Sequence, residues 1–275
     1  MKPAWGIPSY RHVVQRYNKH LENLDQLWTR VSIDAVTYDH KNKKQSLNTD
    51  DALIMTIPPN KLLLRISKVG QDLMWAGYNE QLYWLFDVYE NDIAYFGRHA
   101  NFGMPGTRRL NLPAHLQPMD LPHLLGLIKI NENILPRFDP KNPRVRWSYE
   151  LGAFIIEPPG SGTRFYIEPR TYLPVRIELL NSAGRAFMTA QLSKPDRVDL
   201  HEQPDENRPT LQTRIDVTHA YNRDRISLTL WNMSDGRQRR GIKKAQFNFD
   251  ALVSLFEPVK IEDLDKPAGP PQPNP

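Results

Sequence analysis

The stretch Asp72–His99, DLMWAGYNEQLYWLFDVYENDIAYFGRH, decides how this chain is read. It divides into three short strands, Leu73–Tyr78, Leu82–Val88 and Ile93–Gly97. Asn79-Glu80 and the polar run Tyr89–Asp92 separate them, which is the spacing of a tight antiparallel meander. Side chains alternate across a strand, so Leu82, Trp84, Phe86 and Val88 share one face and Tyr83, Leu85, Asp87 and Tyr89 the other. A half-buried strand shows one apolar and one polar face. Here both faces carry large apolar or aromatic groups, so both must be shielded from water by a core, by helices or by a bound ligand.

Upstream of the meander, Ser9–Trp28 predicts a helix. Ser9 suits the N-cap, and Tyr10, Val13, Val14, Tyr17, Leu21, Leu24 and Trp28 recur at helical spacing opposite polar Arg11, Gln15, Asn18, Lys19, Glu22 and Asn23. Such a stripe packs on a sheet more often than on a membrane surface. Strand patterns follow at Arg30–Tyr38, Ala52–Ile57 and Lys61–Val69, with a basic turn at His40–Gln45. Six strands joined by hairpin-length links point to one antiparallel sheet.

After Arg98 the pattern changes. Phe102–Pro118 is rich in Pro and Gly and leads into a short helix candidate, Met119–Leu127, with Asp120 near its cap and Leu121, Leu124, Leu125 and Leu127 as apolar positions. With loop-like Ile128–Asn142 this makes a long connection, of the kind that covers something. An apolar helix within it suits a plug for a concave sheet face. Strands resume at Val145–Glu157, Thr163–Glu168 after the turn PPGSG (Pro158–Gly162), Leu173–Leu180, Ala186–Leu192, Leu211–Thr218, Ile226–Trp231 and Ala245–Phe249. The fold class is α+β, about eleven strands of antiparallel sheet with two or three helices and no βαβ rhythm. The expected organisation is an extension over 1–8, one domain over 9–258 and a flexible Pro-rich tail over 259–275.

Composition bounds the function. The chain has 275 residues, 40% hydrophobic, a net charge of +5, 24 prolines and no cysteine. That length suits one large β domain, which commonly runs to roughly 200–250 residues, or two smaller ones. Without cysteine there are no disulfides, thiol nucleophiles or Cys-based metal sites. No apolar run approaches the roughly 18 residues that cross a bilayer. The opening MKPAWGIPSYRH shows no signal-peptide core, which leaves open a cytosolic protein or one whose export signal has been removed.

Motifs for catalysis are absent: no GxSxG, HExxH, P-loop or GxGxxG occurs. Gly160-Ser161-Gly162 sits in a β-hairpin pattern and not in a strand–turn–helix. The eight histidines, at 12, 20, 40, 99, 115, 123, 201 and 219, show no metal-ligand spacing. Asp50-Asp51, Glu262-Asp263 and Asp265 read as solvated acids. The basic run Arg237–Lys244, RQRRGIKK, reads as a solvated loop, ahead of a phosphate contact. Nucleic acid comes last, since no exposed aromatic platform accompanies it. What remains is hydrophobic excess. A curved sheet wrapped around a helix leaves an apolar hollow, which binds acyl chains by desolvation at roughly 0.8 kcal/mol per buried CH2 with no catalytic group.

An N-terminal amphipathic helix, a run of hairpins, an aromatic meander, a helix-bearing loop and a second run of hairpins closing on FNFD (Phe247–Asp250) resemble the LolA/LolB-like superfamily. Those proteins are periplasmic lipoprotein carriers and outer-membrane lipoprotein-sorting proteins. YWLFDVYENDIAYFGRHAN (Tyr83–Asn101) and LPVRIELLNSAGRAFMTAQLS (Leu173–Ser193) are similar to uncharacterised exported lipoproteins of that superfamily. The resemblance implies a strongly curved, half-open β-barrel of about eleven strands, with helices over its concave face. It also implies a lipid or lipoprotein acyl chain as partner, a periplasmic or outer-membrane location, and a lipid anchor on the native precursor. Its functional arginine and protruding-loop leucine map to no position here.

The resulting expectation is a non-enzymatic, monomeric protein with no cofactor, no metal and no nucleic-acid partner. The candidates to line the hollow are Trp75, Tyr83, Leu85, Phe96, Met119, Leu121, Leu124, Leu125, Trp147 and Phe154, although ordinary core packing accounts for the same residues. Arg98 and His99 are candidates for its mouth, or simply end a strand in solvent. The rival reading is a scaffold or protein-interaction lipoprotein whose hollow the helix fills permanently.

Overall fold

A computed structural model of the chain describes residues 6–38, 43–89, 92–102, 118–137, 144–221, 223–237 and 242–266. Helix α1, Tyr10–Lys19, starts where the sequence places it, with the Ser9 hydroxyl accepting from the His12 N–H at 3.3 Å. It ends earlier than predicted. Leu21 and Leu24 lie in turns, and Leu27 and Trp28 already belong to the first strand, because apolar groups one on each side of a strand can mimic a helical stripe over a single turn.

The strands are β1 Leu27–Tyr38, β2 Lys44–Ile57, β3 Lys61–Lys68, β4 Gln71–Tyr78, β5 Leu82–Asp87 and β6 Ile93–Arg98, then β7 Arg146–Ser148, β8 Ala153–Ile156, β9 Thr163–Ile167, β10 Pro174–Leu180, β11 Ala186–Arg197, β12 Thr210–His219, β13 Arg225–Ser234 and β14 Lys260–Asp263. All belong to one 14-stranded sheet in the order β14-β6-β5-β4-β3-β2-β1-β13-β12-β11-β10-β9-β8-β7. Fourteen strands exceed the expected count of about eleven, and the thirteen strand patterns of the sequence change in three places. Val145–Glu157 is a hairpin, β7 and β8, and not one strand, and β14 lies where a flexible tail was expected, pairing in parallel with β6. Ala245–Phe249, read as the last strand, instead forms a 3-10 turn and enters helix α3, Phe249–Phe256, whose cap is the Asn248 side chain accepting from Ala251 N–H.

The sheet is curled and does not close. A 3-10 turn over Pro118–Asp120 leads into α2, Leu121–Leu124; the turn touches β4 and α2 touches β10. Those strands are seven places apart in the sheet order. In a flat sheet that is roughly 34 Å, whereas residues 118–124 reach only about 10 Å as helix. The sheet must therefore bend around this segment. Among the described residues β14 pairs only with β6 and β7 only with β8, so the two edges do not meet.

Two cores follow from the curl. The concave core gathers Val31, Ile54, Leu62 and Tyr83 from one arm and Phe154, Phe165, Ile177 and Ile215 from the other, around Val13, Val14 and Tyr17 of α1 and Leu121 and Leu124 of α2. The second core lies on the convex side of the meander, where Trp75, Trp84 and Phe86 pack beneath Phe249 and Leu252 of α3. Both apolar faces of the meander are thus covered by the chain itself, one by α2 and its flanks and the other by α3.

Close packing in the meander depends on two glycines, Gly77 against the Leu62 carbonyl and the Trp84 ring and Gly97 against Tyr83. A Cβ on Gly97 would stand 2.3 Å from the Tyr83 hydroxyl and 2.6 Å from the ring carbon that carries it. Gly97→Ala is expected to cost about 1–3 kcal/mol through overpacking. The check is the urea midpoint, measured also in a Tyr83→Leu background, where the penalty should shrink markedly; equal penalties in both backgrounds would contradict the contact.

Candidate functional site

The candidate site is the concave face with the segment that covers it. Leu121, Leu124, Leu125, Leu127 and Ile130 turn inward and are all buried. The segment contains little structure of its own: α2 is four residues long, and a helix so short has no independent stability. Gly126, at φ +70°, redirects the chain at its end; a Cβ there would meet Pro174 Cγ at 3.1 Å.

What anchors the cover is helix α1. The Tyr17 hydroxyl lies 3.0 Å from the Gly126 carbonyl and 3.1 Å from the Ile128 carbonyl. The Asn18 side chain donates to the Ile130 carbonyl at 2.7 Å and accepts from the Ile130 N–H at 2.9 Å. A backbone that leaves regular structure inside a core must find partners for its polar groups. Two adjacent side chains of α1 supply them here. Burial holds the Tyr17 phenol far above its ordinary range, so it stays a neutral donor. Neither residue was a site candidate from sequence. Tyr17 counted only as part of the apolar stripe and Asn18 as part of the polar face, and the pairing appears only once residues more than a hundred positions apart meet.

The predicted lining residues divide between the two faces. Tyr83, Leu121, Leu124, Leu125 and Phe154 are in the concave core, and Met119 and Trp147 pack against it, Trp147 edge-on to Phe154 at 5.5 Å. Leu85 is buried and by alternation shares the side of Tyr83. Trp75 and Phe96 do not line the hollow. Trp75 stands opposite Phe86, and Phe96 opposite Trp84, so both face α3, where Trp75 meets Phe256 at 5.0 Å and Phe96 meets Phe249 at 4.9 Å. Cross-strand register, which the sequence does not display, made the difference.

Arg98 is exposed, and its backbone N–H is held by the Asp265 carboxylate at 3.2 Å, so Asp265 closes β6 and is not merely solvated. His99 is half-buried, with Nε2 2.6 Å from the Asn79 carbonyl and its ring edge-on to Tyr78 at 5.9 Å. Burial pushes the Tyr83 hydroxyl up to about 12, with Asp265 and Asp263 adding to the rise. The loop 103–117, the core of the run Arg237–Lys244 at 238–241 and the tail 267–275 lie outside the described residues.

On the convex side of the second arm the sheet is polar. Arg164 lies between Glu157 at 2.6 Å and Glu178 at 2.8 Å, Arg146 also meets Glu157, and the Tyr166 hydroxyl donates to Glu178 at 3.1 Å. Among the described residues no group of three or more His, Asp or Glu side chains gathers as metal ligands, and no helix is long and apolar enough to cross a membrane.

The site is thus an apolar concavity in an unclosed sheet, filled by a cover with little secondary structure, and no catalytic groups converge on it among the described residues. Several solved structures resemble the chain, three of them as follows. One is a LolA superfamily protein, NE2245 from Nitrosomonas europaea, the superfamily that the sequence resembles: 12% identity over 89% of this chain and 99% of the other, TM-score 0.46. Another is an outer membrane lipoprotein-sorting protein domain from Vibrio parahaemolyticus, 9% identical over 88% and 97%, TM-score 0.45. A DUF1329 family protein from Desulfovibrio piger is 11% identical over 92% and 100%, TM-score 0.45. At such identities and scores these likenesses carry no functional weight. No family model matches the chain, and no curated protein matches it.

Two outcomes are expected. Tyr17→Phe and Asn18→Ala should each destabilise the fold by about 1–3 kcal/mol, because each leaves buried backbone groups of 126–130 without a partner; thermal or urea unfolding measures this, and costs near zero would show that the cover does not depend on α1. Burial lowers the pKa of His123, and burial outweighs the Thr171 contact to lower that of His20, from 6.5 in each case. The unfolded chain then binds more protons near and below pH 6.5, so their contribution to stability is present above that value and is lost as pH falls toward the folded-state pKa values. Urea midpoints between pH 8 and pH 5 should decline, and less so in His123→Gln.

Proposed function

We propose that this protein is a non-enzymatic binder of a lipid or lipoprotein acyl chain, held on the concave face beneath segment 118–130, and that it works in the periplasm or at the outer membrane. The observation that carries the reading is the nature of the cover. Five apolar side chains of a segment with almost no secondary structure fill the concavity, fixed chiefly by the two side chains Tyr17 and Asn18. An acyl chain that displaced them would restore the same apolar burial, at roughly 0.8 kcal/mol per CH2. The curled sheet itself would not need to rearrange, since its ladder is independent of the cover.

A second reading has its own support. Tyr17, Leu62, Leu124 and Phe165 are at most 1% exposed, so the concavity is filled as tightly as an ordinary core. A protein in which that filling is permanent would be a scaffold or protein-interaction module.

Native mass spectrometry of protein purified from a bacterial host separates the two, together with uptake of a fluorescent long-chain fatty acid by delipidated protein. Carriage predicts co-purifying lipid, saturable uptake, and faster uptake by the Tyr17→Phe/Asn18→Ala double variant, whose cover is loosened. A variant that is less stable yet takes up no probe, alongside wild type that takes up none, would leave the scaffold as the standing reading.

A further inference from the structure

Beside the concave core, with which it shares Ile130 and Phe165, and between the covering segment and the turn joining β8 to β9, lies a cleft of about 190 Å³. Its apolar walls include Ile128, Ile134, Pro159 and Phe165, and His123 and Lys129 also line it. The turn is the PPGSG motif at Pro158–Gly162, which the reading of the concave face does not use. Ile134 stands 50% exposed at the rim, a large apolar group left in water beside an opening of matching character.

The polar end of the cleft has a defined hydrogen-bonding sense. The Thr163 hydroxyl donates to the Ser161 carbonyl at 3.1 Å, so its oxygen is left to accept from His123 Nδ1 at 3.4 Å. In the tautomer that lets Thr163 accept, the imidazole proton is on Nδ1 and Nε2 is a lone-pair acceptor. The charged residues of 118–134 are Asp120, Lys129, whose ammonium lies 3.4 Å from the Glu22 carbonyl, and Glu132; of these only Lys129 lines the cleft, and Thr163 and Phe165 of β9 and Ser161 of the turn do not titrate.

We infer that this cleft is a second ligand site, for a medium-chain carboxylic acid whose hydrocarbon lies against Ile128, Ile134, Pro159 and Phe165 and whose carboxyl group meets His123 Nε2 in the positive field of Lys129. The volume equals about six water molecules at roughly 30 Å³ each, room for a chain of about six to eight carbons. The proton count is matched: a carboxylic acid donates to neutral Nε2, or, after transfer, a carboxylate accepts from the imidazolium. Free carboxylates are ionised above about pH 5, and burial keeps the free imidazole neutral near pH 7. Binding near neutrality therefore takes up one proton. An aliphatic alcohol of the same length could donate to Nε2 without any proton uptake.

The test is titration of the full chain with octanoate and with 1-octanol at pH 6.5, 7.5 and 8.5, followed by calorimetry and by NMR of isoleucine methyl groups. Octanoate affinity should rise up to tenfold for each pH unit lowered, octanol affinity should stay flat, and the methyl shifts should fall on Ile128 and Ile134, the cleft isoleucines that are not part of the concave core. His123→Gln should weaken octanoate and flatten its pH response. Ile134→Glu, on the exposed rim, should weaken octanoate more than octanol and serves if the first variant folds poorly. A pH-independent octanoate affinity, shifts confined to concave-core residues such as Ile177 and Ile215, or no saturable binding would each overturn the site. The inference does not rest on lipid carriage by the concave face, and the position of the methyl shifts keeps the two apart.

Discussion

A sheet that curls without closing has to hide its concave side from water with something other than its own strands, and that requirement organises the whole molecule. Apolar side chains from both arms converge on the hollow, and their burial is the dominant favourable term in the fold. Helix α1 and the segment around α2 occupy the space that a closed barrel would give to its interior side chains. In the meander the same demand arises a second time on the convex side, because Trp75, Trp84 and Phe86 point away from the hollow. Helix α3 meets it, and β14 then returns the chain to the sheet edge beside β6.

The two covers are built differently, and the difference bears on function. Helix α3 is eight residues long, is capped by Asn248, and sits on a cluster of aromatic rings, Phe249 and Phe256 against Trp75, Phe86 and Phe96. The α2 segment has four helical residues, and the carbonyls of Gly126, Ile128 and Ile130 that follow them are satisfied from outside by Tyr17 and Asn18. Local opening takes least free energy where a segment has few hydrogen bonds of its own. An element of that kind over an apolar concavity is where exchange with a ligand would begin, while the α3 face remains a fixed part of the core. The cleft beside the PPGSG turn adjoins the same segment, at Ile128 and Ile134, so whatever fills it touches the outer side of the cover.

Much of this was legible in the residues. The double-sided apolar pattern of Leu82–Val88 demanded two covers, and two are present. The Leu121, Leu124, Leu125 group was recognisable as a plug because its leucines recur at helical spacing inside a long loop. Ser9 marked the start of α1 because a hydroxyl before an apolar stripe satisfies the first turn. Elsewhere local pattern pointed the wrong way. Ala245–Phe249 has the apolar content of a strand, but it packs as the entry to α3 because Phe247 and Phe249 find the aromatic floor of the meander. Trp75 and Phe96 carry no mark of the face they serve, since parity counts only relative to a partner strand.

The sequence by itself therefore determined most of the element types, though not at Ala245–Phe249 or beyond Lys19, together with the antiparallel run of hairpins, the need to shield both sides of the meander and the identity of the plug, because alternation, caps and turn residues act over a few positions. Only the tertiary structure decided the order that places β1 beside β13, the curl that brings β4 and β10 around one short segment, the side on which each aromatic faces, and the bonds from Tyr17 and Asn18 to a chain more than a hundred residues away. These depend on register and on contacts between distant segments, and no local pattern records which distant partner a side chain will meet.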